Sequence, residues 1–126
     1  MTGSTTPART TKQALGAYGE SLAARQLTAQ GMVLLDRNWR CEVGEIDLVL
    51  RDRDVLVVCE VKTRSSDRCG TPHEAVTELK LARLRRLAVR WREAHGLGPV
   101  ENRIDLVAVV RPRRGPSVLD HVPGIG

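Results

Sequence analysis

Two apolar runs, Glu45 to Arg51 and Val55 to Thr63, stand on either side of the polar stretch Arg51-Asp52-Arg53-Asp54. That pattern commits the middle of the chain to a β-hairpin. Opposed residues of an antiparallel pair project to the same side, and the loop length decides which residues are opposed. With a loop of two or four residues centred on Asp52-Arg53, Asp47 lies opposite Val58 and Glu45 opposite Glu60. Asp47, Glu60 and Lys62 then project from one face together with Glu45. Asp47 and Glu60 become diagonal neighbours with Cβ atoms about 7 Å apart or slightly less. A loop of odd length puts Asp47 on the other face.

The flanking sequence supplies the rest of a small α/β domain. Residues 12–30 read as a helix, with Leu15, Tyr18, Leu22 and a position near Leu27 in the 3.6-residue period and Gly31 at its end. Val33 to Trp39 reads as a strand and Ser65 to Gly70 as a loop. Thr71-Pro72-His73-Glu74 carries a capping-box pattern with Pro at the first helical position, which starts a helix. From Thr77 to about His95, Leu81, Leu84, Ala88 and Trp91 give an apolar face, flanked by Lys80, Arg83, Arg86 and Arg90. Gly96 and Gly98-Pro99 end it. Arg103 to Val110 is a further strand. The order helix, three strands, helix, strand predicts helices packed on a mixed central sheet over residues 12–111. A disordered N-terminal tail (1–11) and a flexible, Pro/Gly/Arg-rich C-terminal tail (112–126) are expected around it.

Composition narrows the function classes. A chain of 126 residues, 41% of them hydrophobic, makes one domain with a modest core. No unbroken apolar run exceeds Val55 to Cys59, far short of the ~20 residues a membrane-spanning helix needs. Met1 to Thr11 lacks the apolar core of a secretory signal. Cys41, Cys59 and Cys69 form no CxxC pair, which argues for a reducing compartment and against a zinc site. A cytoplasmic protein with no membrane partner is expected. The net charge of +5 is uneven: +3 over residues 1–40, −3 over 41–76, +4 over 77–95 and +1 over 96–126. An acidic centre between basic segments suits an enzyme that holds cations against a polyanion better than a uniformly basic binding module.

The chemistry follows from the hairpin carboxylates. Two carboxylates about 5 Å apart repel by ~3 kcal/mol at an effective dielectric of 20, a cost relieved by water or a cation between them. Oxygen-only ligands at a partly open site suit Mg²⁺ or Mn²⁺, which activate water and polarise a phosphoryl oxygen. A nearby Lys can orient the attacking water and offset the charge that develops at phosphorus. Only Lys12, Lys62 and Lys80 among the 20 basic residues are lysines, so a Lys beside a strand carboxylate in this Arg-dominated chain indicates a site for a compact ammonium. The alternative is a solvated Glu60–Lys62 pair at a strand end.

Asp47 followed by Glu60-x-Lys62 on the next strand resembles the PD-(D/E)XK nuclease superfamily. The resemblance is closer to the bacterial YraN-like family of predicted endonucleases, which are similar to archaeal Holliday-junction resolvases. The matching stretches are Gly16-x-x-Gly19-Glu20, Asn38-Trp39-Arg40, Gly44-Glu45-Ile46-Asp47-Leu48 and Val58-Cys59-Glu60-Val61-Lys62-Thr63-Arg64. They continue through Gly70, Ala75-Val76, Lys80 and Arg103-Ile104-Asp105, so that about residues 13–110 are covered. The resemblance implies a restriction-endonuclease-like core, with metal ligands at Asp47 and Glu60 and Lys62 orienting the water. It makes Glu20 the first-helix carboxylate that completes the metal set; by its position alone Glu20 is a solvated helix residue. Ile46 stands where the superfamily often has Pro.

Other residues carry weaker readings. Arg64, Lys80, Arg83 and Arg86 are the expected nucleic-acid contacts, with solvation as the alternative for Arg64 and Lys80. Asp105 reads as a structural partner for a base rather than a further metal ligand. His95 reads as a charge at a helix end. Tyr18 and Trp91 read as core, and Gly16-x-x-Gly19 as a close-packing element. The sequence thus predicts a Mg²⁺- or Mn²⁺-dependent endonuclease acting on nucleic acid, with branched or structured DNA expected, and a homodimer as a suitable form for a two-fold junction. The alternatives are a non-catalytic nucleic-acid-binding protein of the same fold and a scaffold that recruits a partner through residues 112–126.

Overall fold

A computed structural model describes residues 10–65 and 76–126. Helix α1 (Thr11–Ala29) is followed by strands β1 (Val33–Cys41), β2 (Gly44–Asp52) and β3 (Val55–Arg64), helix α2 (Glu78–Ala94), and strands β4 (Asn102–Val110) and β5 (Val118–Val122). The strands form one sheet in the order β1-β2-β3-β4-β5. All neighbours are antiparallel except β3 and β4, which are parallel and joined through α2. This mixed α/β sheet with a helix on each face is compatible with a restriction-endonuclease-like fold. No helix among the described residues is long and apolar enough to cross a membrane.

The helices form where the sequence periodicity puts them. Thr10 and Gln13 make a reciprocal capping box at the start of α1, and Gly31, at φ 105°, follows its end. Thr77 caps α2 by accepting from Lys80 N–H at 3.1 Å. The helix start expected at Thr71-Pro72-His73-Glu74, and the loop at Ser65 to Gly70 beyond Ser65, lie outside the described residues. So do residues 1–9 of the expected N-terminal tail.

Two apolar layers fill the spaces between sheet and helices. Ala23, Leu27, Leu48, Leu50, Val57, Cys59, Val107 and Val109 pack beneath α1. Ile46, Val49, Val58, Leu84, Leu87, Ala88, Trp91 and Ile104 pack beneath α2. Because both faces are covered, Leu56 to Cys59 on the central strand are buried without alternation. Gly19 lets α1 lie directly on β3, since a Cβ there would overlap Thr63 Oγ1. Gly16, the other half of the expected packing pair, faces open space.

Residues 112–126 correct the expectation of a flexible tail. Residues Val118 to Val122 pair antiparallel with Leu106 to Val110 as an edge strand. Ile125 N–H donates to Ile104 O at 2.8 Å, and Tyr18 OH lies 2.6 Å from Ser117 Oγ. The physical reason is buried charge. Asp105, with no exposed surface, accepts from Arg103 at 2.8 and 3.1 Å, from His121 Nε2 at 2.8 Å and from Gly124 N–H at 3.1 Å. Asp105 is therefore the structural partner that its position at a strand end indicated.

Candidate active site

The β2–β3 hairpin turns on Arg53-Asp54, with Asp52 opposite Val55 and Leu48 opposite Cys59. The register is thus offset by two residues from the one expected for a loop centred on Asp52-Arg53. An even offset keeps each side chain on its face. Continuing the ladder by one residue would set Asp47 against Glu60 rather than against Val58. The regular pairing stops one step short of that, and Asp47 Oδ2 instead accepts the Val61 N–H at 2.8 Å.

The backbone is irregular at this fork. Ile46 packs in the α2 layer and Leu48 in the α1 layer, although residues two apart on a regular strand share a face. Across on β1, Trp39 pairs with Ile46 and Arg37 with Leu48, so Asn38 lies across from Asp47, and its φ is 53°. Asn tolerates this left-handed conformation better than most residues. Asp47 therefore sits where β2 crosses from one layer to the other, half-buried between the two helices.

Carboxylates reach this fork from both layers. Glu20 on α1 accepts from Asn38 Nδ2 at 3.0 Å and lies 3.7 Å from Arg37 Nε. Glu60, only 7% exposed, is ion-paired through Oε2 to Lys80 Nζ from the first turn of α2. Glu45 pairs with Arg40 at 2.9 Å. Burial, then the charge of Glu60, push the Asp47 carboxyl up to about 7; the Val61 N–H pulls it down, and Glu20 and Glu45 add to the rise. Four carboxylates thus share one electrostatic neighbourhood.

The other expected residues are distributed unevenly. Lys62, two residues beyond Glu60 on β3, is exposed. Lys80 lies on a carboxylate, Glu60, so its described contact is not one of a free phosphate-binding cation. Arg83 and Arg86 are exposed on α2, away from the α1 layer, and Arg64 is half-buried at the end of β3. Sequence reasoning gave no role to Arg37 and Asn38, which hold Glu20, or to Lys80 as the counter-charge of Glu60. The only advance sign was the Asn38-Trp39-Arg40 stretch opposite Gly44 to Leu48.

Among the described residues no group of three or more His, Cys, Asp or Glu side chains is gathered as a metal-ligating cluster. The chemistry of the donor set nevertheless fits a divalent cation. The donors are oxygens only, one carboxyl is pushed toward its neutral form by burial and then by its carboxylate neighbours, and an ammonium already supplies positive charge at Glu60.

Residues 19–109 match the family model described as Uncharacterised protein family UPF0102, a span that contains Glu20, Asp47, Glu60 and Lys62. The chain belongs to family UPF0102. It is 76% identical over 115 residues to a UPF0102 protein from a Nocardioides species, covering 91% of this chain and 93% of the relative. A UPF0102 protein of Kineococcus radiotolerans is 59% identical over 115 residues, covering 90% of this chain and 94% of that one. A UPF0102 protein of Streptomyces coelicolor is 57% identical over 114 residues, covering 89% of this chain and 88% of that one.

Proposed function

We propose that this UPF0102 protein is a divalent-cation-dependent endonuclease that hydrolyses phosphodiester bonds of nucleic acid, with branched or structured DNA as its substrate class. The observation that carries this reading is the Asp47 carboxyl, raised to about 7 at the fork of two strands by burial and by Glu60, Glu20 and Glu45. A protein retains such mutual repulsion at low cost where a cation offsets it. The resemblance of Asp47 and Glu60-x-Lys62 to the PD-(D/E)XK superfamily supports the same reading, as does the compatible fold.

In this reading Glu20, Asp47 and Glu60 hold Mg²⁺ or Mn²⁺. The cation supplies Lewis-acid stabilisation of the phosphoryl oxygens when bound. Lys62, exposed beside Glu60, orients the attacking water and offsets the charge that develops at phosphorus. The Val61 N–H keeps one Asp47 oxygen fixed. Arg64, Arg83 and Arg86 contribute phosphate contacts, which give affinity without sequence choice, whereas Lys80, expected among them, is engaged by Glu60. A dimer in the cytoplasm would serve a two-fold junction.

A second reading is favoured by one observation. Lys80 already neutralises Glu60, so the fork can persist without a metal, as in a non-catalytic nucleic-acid-binding protein. Cleavage of duplex, flap, four-way-junction and single-stranded DNA with Mg²⁺ or Mn²⁺ separates the two. Metal-dependent cutting is expected, reduced about a hundredfold or more in Lys62→Ala. Binding without cutting by either protein favours the second reading.

A further inference from the structure

Two grooves meet along α1. One is lined by Tyr18, Ser21, Arg37 and Asn38 among others, the second by Lys12, Ser65, Arg111 and Arg113 among others. Their volumes are about 600 and 670 Å³. Ala14 lines both, and the Arg111 guanidinium lies 4.5 Å over the Tyr18 ring, which joins them a second time. The trough so formed follows residues 11–21 of α1, about 15 Å. One end abuts the fork, because Arg37 and Asn38 are the residues that hold Glu20.

The charge of this trough is one-sided. Among the described residues that line the two grooves none is acidic. Lys12, Arg111 and Arg113 are exposed, and no carboxylate among the described residues forms an ion pair with any of them. Arg37 is different: it is spent on Ser21, Ala17 O and Glu20. Three uncompensated cations along a helix floored by small side chains fit a chain of regularly spaced phosphates.

We propose that this trough carries a single nucleic-acid strand to or from the carboxylate fork. The proposal deepens the nuclease reading and rests on it for what happens at the fork: the substrate is one with an unpaired arm beside the cut. A single strand rather than a duplex is favoured by the Tyr18–Arg111 pair. Tyr18, anchored through its hydroxyl to Ser117, holds the Arg111 guanidinium over its ring, and guanidinium and aromatic planes stack on unpaired bases. Duplex bases are already buried in their own stack. The basic flank of α2 belongs to the opposite layer and has no aromatic–guanidinium platform of this kind among the described residues.

The test is fluorescence anisotropy with labelled oligothymidine and with a labelled duplex, in EDTA so that binding does not depend on cleavage. The variants are Lys12→Gln/Arg113→Gln, which alters only exposed side chains, and Arg111→Gln. The double variant is expected to weaken oligothymidine binding on the order of tenfold at low salt. Its slope of log affinity against log salt should fall by about 1.4, since each single-strand phosphate contact contributes about 0.7. Duplex binding should change less than about twofold. Unchanged oligothymidine binding, or equal losses for both probes, overturns the proposal. Cleavage by the wild-type chain together with intact strand binding by the variants overturns the trough alone. Selective loss of strand binding, with no cleavage by the wild type of any substrate, supports the trough and overturns the nuclease reading.

Discussion

Above pH 7 the folded chain holds an ionised Asp47 beside Glu60, with Glu20 and Glu45 adding to the repulsion. An unfolded Asp ionises near pH 3.9 and the folded one near 7, so between those values the native state retains a proton that the unfolded state has lost. Native stability therefore falls as pH rises through this window, and the whole deficit is present above 7. Asp47→Asn removes the charge and keeps an oxygen that can accept the Val61 N–H. Without divalent cations, the variant is expected to be more stable than wild type at pH 8, by on the order of 4 kcal/mol, with less than half of that gap left at pH 5 and none below about pH 3.9. Thermal melts at the two pH values check this. Millimolar Mn²⁺ at pH 8 should raise the wild-type midpoint and leave Asp47→Asn nearly unmoved. Equal stability of the two proteins at pH 8 contradicts the repulsion on which the proposed function is built.

At the scale of elements, the join between α1 and β3 sets where Glu20 stands, because Gly19 precedes it in the contact. A methyl group at position 19 would overlap Thr63 Oγ1 and come within 2.9 Å of Thr63 Cβ. Gly19→Ala is expected to cost about 1–3 kcal/mol, as overpacking of a tight contact does. The Thr63 hydroxyl is buried without a hydrogen-bond partner among the described residues, so Thr63→Ala alone should be close to neutral. Adding Thr63→Ala to Gly19→Ala should recover part of the loss, and urea melts of the two single variants and the double show whether it does. The seven elements differ in how far they could be read in advance. Six followed from apolar patterning, since Leu81, Leu84, Ala88 and Trp91 are buried at helical spacing in α2 and the continuous run Val57, Val58 and Cys59 is buried in β3. The hairpin parity, and hence the approach of Asp47 to Glu60, was also legible. Its register was not, because Arg53 takes φ 57° and no Gly or Asn in Arg51-Asp52-Arg53-Asp54 marks the centre of the turn. The crossing of β2 between layers at Asp47 was hidden for a similar reason, since alternation in the sequence cannot express a local break in pleating.

For the whole molecule, the C-terminal segment decides whether the sheet has four strands or five. Composition concealed it: β5 has five residues, and Pro116, Pro123, Gly115 and Gly124 surround it. What recruits it is a long-range electrostatic demand that no local pattern carries. Arg103 binds Asp105 in bidentate fashion and reaches Asp52 at 3.2 Å, so one network joins β2, β4 and β5. Burial alone would raise the Asp105 carboxyl; the Arg103 guanidinium, His121 and the Gly124 N–H overcome it and hold the group below its ordinary value. The stability contributed by Asp105 is thus present above the unfolded pKa and is lost as pH falls through the folded one. Removing residues 112–126 strips two of the three donors from a fully buried carboxylate and bares the edge of β4. A buried charge deprived of partners costs about 3–5 kcal/mol, a large share of the stability of a domain this size. Chains ending at Arg111 are therefore expected to unfold at much lower urea concentration than the full chain at pH 7, and the gap should narrow at low pH, where Asp105 becomes protonated. A recruiting tail would behave otherwise: its removal would abolish partner binding and leave the urea midpoint where it was. The midpoint of the shortened chain thus distinguishes a strand of the fold from an appendage, and loss of nucleic-acid binding can be assigned to this segment only after that midpoint is known.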